Sequence, residues 1–444
     1  MGSIAMGDLQ IKSTFPMKNK ELREKILTFP ARAIFFCLLL SLMVYGLNYH
    51  ISKSLIHIAA FLSVINIFIA IINKSINVLP QDKKIIYICL SMLIIAAITM
   101  ISTQFFNNPI SQYHDKNFAY PLIFFAIILY SLKMKPNDYT LIFYAAVIGC
   151  INMGSAGIYD FYHANSATYR TAGTQNMPII YASGMALLTS WMSVEFFNRL
   201  SKRQWRLMSL CLVAFAIGYT AILLTASRGP ILAITLVSIA LFIRYLTSLP
   251  SRRKAVSILL FFSCFFVVVS ASFFNTQTGN NIISRFEGGV TNISKFMDDS
   301  DESVTSAGIR LDMWKAALIT IGNHPLLGIG TGTHHEHFSQ LSGQMVDVSR
   351  FDHIHNDTLQ ILMSFGLIFG SITLLVIWYP TVLFTQALIN NKKAIVGLTV
   401  CITYILCGLT DAPSFRAASL TIFLLIIVLQ IGIIRSGKSE NKHV

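Results

Sequence analysis

The chain has 444 residues, of which 54% are hydrophobic and 12% charged, with a mean hydropathy of +0.62 and a formal net charge of +14. Soluble domains carry about 25% charged residues, so this chain lacks the charge to clothe a water-facing surface. A soluble enzyme, a disordered chain and a small disulfide scaffold are excluded together.

Residues 1–32 are polar and basic and are expected to form a cytoplasmic N-terminal segment. The apolar run after them has no small-residue cleavage site, so it reads as a retained anchor. Apolar runs of about 17–25 residues cross the hydrocarbon core as helices. Such runs fall at 33–49, 54–72, 85–106, 117–133, 139–159, 179–197, 207–226, 230–247, 255–274, 357–385, 394–411 and 416–435. The expected fold class is all-α: a polytopic membrane protein with about 12 transmembrane helices. Spans 1–9 occupy 33–274 and spans 10–12 occupy 357–435, with a cytoplasmic tail at 436–444. A large loop, 275–356, separates spans 9 and 10. It is expected to be partly helical, because GIRLDMWKAALITI (308–321) has helical apolar spacing and Asn323-His324-Pro325 ends it.

The cysteines, Cys37, Cys89, Cys150, Cys211, Cys264, Cys401 and Cys407, lie in apolar runs without a CxxC pair. They read as small buried hydrophobes, not a metal or disulfide framework. Lysine and arginine accumulate in cytoplasmic loops. Lys18, Lys20, Arg23, Lys83, Lys84, Arg199, Lys202, Arg203, Arg252, Arg253, Lys392, Lys393 and Arg435 fall on one side if both termini are cytoplasmic. The basic balance is thus a topology signal and not a nucleic-acid footprint. The two long loops, 160–178 and 275–356, then face outward. A twelve-span transporter of two six-span halves would place its long loop in the middle and inside.

Outer cations are few, and each has a structural and a functional reading. Arg228 in TASRGP (225–230) occupies a very short outer turn, where a lipid-linked phosphate would lie; the alternative is an arginine snorkelling at a helix end. Arg310 in SAGIRLDMW (306–314) begins the loop helix, a suitable place for an anion, unless it pairs with Asp312. Arg170 in TYRTAGTQN (168–176) and Arg416 in TDAPSFRA (410–417) are two more, and Asp411 could simply neutralise Arg416. His334, His335, His337, His353 and His355 crowd the end of the long loop. A neutral histidine accepts protons near pH 7. Zinc is the competing reading, against which stand the absent HExxH spacing and the lack of an outer cysteine. GIGTG (328–332) follows no strand and DDSDE (298–302) lacks calcium-loop spacing, so neither reads as a ligand loop.

TASRGP on a short outer turn, SAGIRLDMWKAAL, HPLLGIGTG and HIHNDTLQILMSFGLIFG, in this order, resemble the O-antigen ligase/polymerase superfamily over about 225–370. The ligase branch is the closer match. Its histidine-Asn motif with a glycine further on fits His355-Asn356 and Gly366, whereas Phe369 holds the place of the next glycine and Gly370 follows. The resemblance implies that His355 is catalytic and that Arg228 and Arg310 hold a lipid diphosphate, with Arg170 a further donor-binding candidate. Asp411 and Arg416 resemble a functional acidic/basic pair, and His353 and Asn356 are supporting candidates. The implied reaction transfers O-antigen from undecaprenyl diphosphate to a sugar hydroxyl of lipid A-core, at the periplasmic face of the bacterial inner membrane. It would invert the anomeric centre and use neither metal nor cofactor. The alternatives are a polymerase that takes a second lipid-linked repeat as acceptor, and a non-enzymatic transporter of lipid-linked glycan.

Overall fold

The structure is a computed structural model that describes residues 20–72, 83–106, 109–135, 137–164, 166, 169–175, 177–260, 275–276, 279–280, 283–284, 287, 308–331 and 353–440. Within them the chain is helical, with no strand. We number the helices α1 (Lys20–Val44), α2 (Tyr49–Ile72), α3 (Lys83–Phe106), α4 (Pro109–Ser131), α5 (Asp138–His163), α6 (Pro178–Ser201), α7 (Trp205–Leu224), α8 (Arg228–Thr247), α9 (Gly308–Asn323), α10 (Asp357–Leu388), α11 (Ala394–Gly408) and α12 (Ala417–Glu440).

Among the described residues, 8 helices are long and apolar enough to cross a membrane: α2, α3, α5, α6, α7, α8, α10 and α12. Shorter apolar helices at Pro30–Val44, Phe118–Ser131 and Ala394–Gly408 coincide with the expected first, fourth and eleventh spans. Residues 252–260 are helical and open the expected ninth span, whose remainder, with Cys264, lies outside the described residues. So do DDSDE and the His334, His335 and His337 group.

Two helices form the axis of the bundle. The most apolar stretches of α6 and α12 are 83% and 89% buried, so protein surrounds them on every side. Helices α7, α8 and α11 pack on α6, and α4, α6 and α11 pack on α12. The outer helices are apolar all round but bury only one face. On α2, Ala59, Ala60 and Ser63 face the protein while Phe61, Phe68 and Ile71 are exposed. Water would penalise that outer face and lipid does not, which is why composition alone marks these helices as membrane-spanning.

Helix α10 is broken in its first half. Gly366 adopts φ 70°, ψ −177°, a conformation that only glycine adopts readily. The break frees backbone groups, and the segment after α9 takes them. Ile329 N donates to Met363 O (3.0 Å), Gly330 N donates to Ser364 O (2.9 Å), and Leu367 N donates to Pro325 O (2.7 Å). Gly328, at φ +70°, lies so close to the Met363 carbonyl and Gly366 N that no Cβ fits. Residues 328–330 of the glycine-rich GIGTG stretch are therefore a backbone plug in a helix break, not a phosphate cradle.

This plug draws α9 against the start of α10. Met313, Ala317, Ile329, Ile354 and Met363 form a small separate core, and Trp314 Nε1 donates to Ile354 O (3.0 Å). The same end of the bundle carries the turns α5–α6, α7–α8 and α11–α12.

Candidate functional site

The chain from 353 to 357 enters α10 under tight control. Asn356 caps the helix by accepting from Leu359 N (3.0 Å), and its Nδ2 donates to Leu409 O (3.2 Å). Asp357 accepts from Ser414 Oγ (2.7 Å) and Ser414 N (3.2 Å). Ile354 N donates to Gln360 Oε1 (3.0 Å). With its neighbours pinned, His355 is held at φ 55°, in the left-handed region that side chains other than glycine rarely adopt. Strain of this kind, of about 1–3 kcal/mol, persists only where the surroundings impose it.

The two histidines converge on one carboxylate oxygen. His353 Nε2 lies 2.9 Å and His355 Nδ1 3.0 Å from Asp411 Oδ1, and Arg416 NH2 lies 2.8 Å from His353 Nδ1. Chemistry fixes the protons. A guanidinium only donates, so His353 Nδ1 accepts and the His353 proton sits on Nε2, from which it donates to Asp411. An ionised Asp411 only accepts, so His355 donates from Nδ1, and the lone pair of neutral His355 falls on Nε2. The array Arg416–His353–Asp411–His355 is thus a directed chain ending in a basic nitrogen, and the His355 side chain retains 16% exposure.

Electrostatics agree with this assignment. Burial works to raise the Asp411 carboxyl, but hydrogen bonds from His353 and His355 outweigh it and hold the group well below the usual carboxylate range. Burial lowers the His353 imidazole, with the Asp411 bond opposing and the charges of His355 and Arg416 assisting. Burial also lowers Arg310, which the nearby Asp411 charge counters. Arg310 is therefore in electrostatic range of the cluster, and among the described residues it forms no ion pair with Asp312.

Arg228 is the first residue of α8. The next residue, Gly229, has no room for a Cβ because Thr410 Oγ1 fills that space, one position before Asp411. The preceding turn is held by Arg170, whose Nε donates to Thr225 O (2.8 Å) and NH2 to Ser227 Oγ (3.1 Å). The structure therefore brings His353, His355, Asp411 and Arg416 into direct contact, with Arg310 within electrostatic range of Asp411. It sets Arg228 at the neighbouring turn and gives Arg170 hydrogen bonds to that turn. Asn356 is engaged in capping. Three supports carry no motif signal: Ser414 for Asp357, Gln360 for Ile354, and Trp314 for the α9 contact.

His353, His355 and Asp411 offer ligand atoms within 4.8 Å of one another, close enough for a metal ion. The donor set fits one poorly. A metal on His353 Nε2, with Arg416 donating to Nδ1, would strip both ring nitrogens of protons, and the guanidinium charge opposes a second cation.

The family model described as O-antigen ligase matches residues 210–375, from α7 to the middle of α10. A protein of Haemophilus influenzae described only as uncharacterized is 21% identical over 385 residues, covering 86% of this chain and 90% of the relative. The matched segment holds Arg228, Arg310, His353, His355 and the Gly366 break. Over residues 210–375 the chain thus resembles the O-antigen ligase family, a match that supports membership of the O-antigen ligase/polymerase superfamily.

Proposed function

We propose that this multi-pass membrane protein is an O-antigen ligase: a glycosyltransferase that moves a glycan from undecaprenyl diphosphate to a sugar hydroxyl of lipid A-core, at the periplasmic face of the inner membrane. The observation that carries the reading is the hydrogen-bonded array Arg416–His353–Asp411–His355, with Arg310 within electrostatic range of Asp411. Transfer between two lipid-anchored substrates needs a base and an anion clamp together at helix ends, where both substrates arrive from the bilayer. It does not need a polar path through the bilayer, which a transporter would require.

In the proposed reaction His355 Nε2 takes the proton of the attacking hydroxyl as its oxygen bonds to the anomeric carbon. The bond from that carbon to the diphosphate oxygen breaks, and its electron pair leaves with undecaprenyl diphosphate. Attack from the face opposite the leaving group inverts the centre. Asp411 stabilises the imidazolium so formed, as the carboxylate of a hydrolytic triad does. Arg228 and Arg310 offset the charge growing on the diphosphate by charge-assisted hydrogen bonds. This role makes no call on a metal or cofactor.

The test supplies purified protein with undecaprenyl-diphosphate-linked glycan and, separately, lipid A-core or a second lipid-linked repeat. Product on lipid A-core supports the ligase reading; elongation of the lipid-linked repeat alone assigns the chain to the polymerase branch. If neither acceptor is used by folded protein, the enzymatic reading falls.

A further inference from the structure

A carboxylate outside the matched segment organises the approach to Arg228. Asp160 lies in the last turn of α5 and reaches over the α5–α6 loop. Its Oδ2 accepts from Thr171 Oγ1 (2.8 Å), Ala172 N (3.0 Å) and Gly173 N (3.1 Å). The Tyr169 hydroxyl is 3.2 Å from each carboxylate oxygen. These partners sit 9 to 13 residues along the chain, so one anion gathers the whole 169–173 stretch into a single conformation.

That stretch is fastened in turn to the end of α7. Thr171 N donates to Leu224 O (3.3 Å), and the Thr171 hydroxyl, which lies 2.8 Å from Gly157 O on α5 as well, shares its single proton between that carbonyl and Asp160. Between Tyr169 and Thr171 stands Arg170, whose guanidinium bonds both Thr225 O and Ser227 Oγ. Those atoms belong to a turn in which Ala226 is held at φ 49°. Arg228 follows immediately, with Gly229 against Thr410. A continuous run of hydrogen bonds thus leads from Asp160 through the loop and Arg170 to the turn that aims Arg228.

We infer that Asp160 is a positioning residue for the donor diphosphate: it orders the 169–173 loop so that Arg170 fixes the 225–227 turn and the direction in which Arg228 enters the site. The inference rests on the reading of Arg228 as a diphosphate ligand. A carboxylate suits the task because its oxygens only accept, and all its partners here donate. An amide of the same size carries no charge, and with its N–H group turned to the Tyr169 hydroxyl it holds the three donors on the other oxygen by weaker neutral bonds, so Asp160→Asn loosens the loop without opening a cavity.

The experiment measures binding of undecaprenyl diphosphate to the full-length protein in detergent, with steady-state transfer alongside. Asp160→Asn is expected to weaken diphosphate binding and raise the donor KM about tenfold. Acceptor KM should be unchanged, and kcat at saturating donor should stay within about twofold of wild type. Thr171→Val, which removes one donor to Asp160 and keeps the side-chain shape, should shift donor binding the same way by a smaller factor. It stands in should Asp160→Asn not fold. Adding Asp160→Asn to Arg170→Ala should cost no further affinity, since the effect passes through Arg170. Unchanged donor binding in both Asp160→Asn and Thr171→Val, equal losses for donor and acceptor, or multiplied losses in the double variant overturns the inference. Wild-type protein that binds no undecaprenyl diphosphate overturns the diphosphate reading of Arg228 and this inference with it.

Discussion

Asp411 is the residue on which the proton order of the site turns. Because both histidines donate to it, Asp411→Asn lets an amide donor face an imidazole and releases His355 from its tautomer. Transfer by that variant should fall by about 10²–10⁴, with the protein still folded. Burial lowers His353, assisted by the Arg416 charge, so the imidazole is neutral when the array is intact. The sign then follows. The stabilisation from neutral His353 is complete above the unfolded value near 6.5 and is lost as pH falls through the lower folded value. Proton uptake would turn His353 Nδ1 into a donor facing a guanidinium, so transfer should decline on the acid side. Arg416→Gln removes a charge that keeps His353 low, and the acid limb of the pH–rate profile should move to higher pH. A limb that stays in place, or moves down, contradicts the assignment. At this scale the sequence singles out Arg228, Arg310 and His355 because few cations and histidines fall near the outer ends of the spans. It was not legible that Asp411 would serve the histidines and leave Arg416 to His353, because that pairing joins residues 58 and 63 positions apart.

Helix α10 shows how an element carries the site. A regular helix through Gly366 would close its own hydrogen bonds and have no use for the plug from residues 325–330. The break makes α10 depend on that plug, and through it on α9, which bears Arg310. Gly366→Ala places a Cβ against the Leu326 carbonyl at a backbone angle alanine resists. It should cost about 1–3 kcal/mol, seen as earlier thermal unfolding in detergent, with weaker donor binding as α9 loses its seat. Trp314→Phe removes the bond to Ile354 O at about 1 kcal/mol and should raise the donor KM more than it lowers Tm. Helix positions were readable because apolar runs of bilayer length have few alternatives. The plug was not: GIGTG has the composition of a turn, and only the partner it meets reveals its use.

For the whole molecule, the buried α6 and α12 pair forms an axis, and the outer helices present one face to lipid. The site groups lie on turns and helix starts at one end of it. The charge distribution predicts that this end faces outward. Tyr162, at the site end of α5, and Trp205, at the opposite end of the bundle, are both exposed. A cysteine placed at Tyr162 should react with a membrane-impermeant maleimide in intact spheroplasts, and one placed at Trp205 should not. The reverse pattern would invert the topology and put the chemistry on the wrong side. Loop charge is the ground for that expectation, since cations resist translocation.

The most direct test of the account is the transfer rate of His355→Ala measured with its affinity for undecaprenyl diphosphate. The assignment of the base to His355 and of the diphosphate to the arginines predicts a fall in kcat of about 10²–10⁴ with diphosphate affinity within about twofold of wild type. Near-normal transfer by folded His355→Ala, or equal losses in binding and rate, would contradict it.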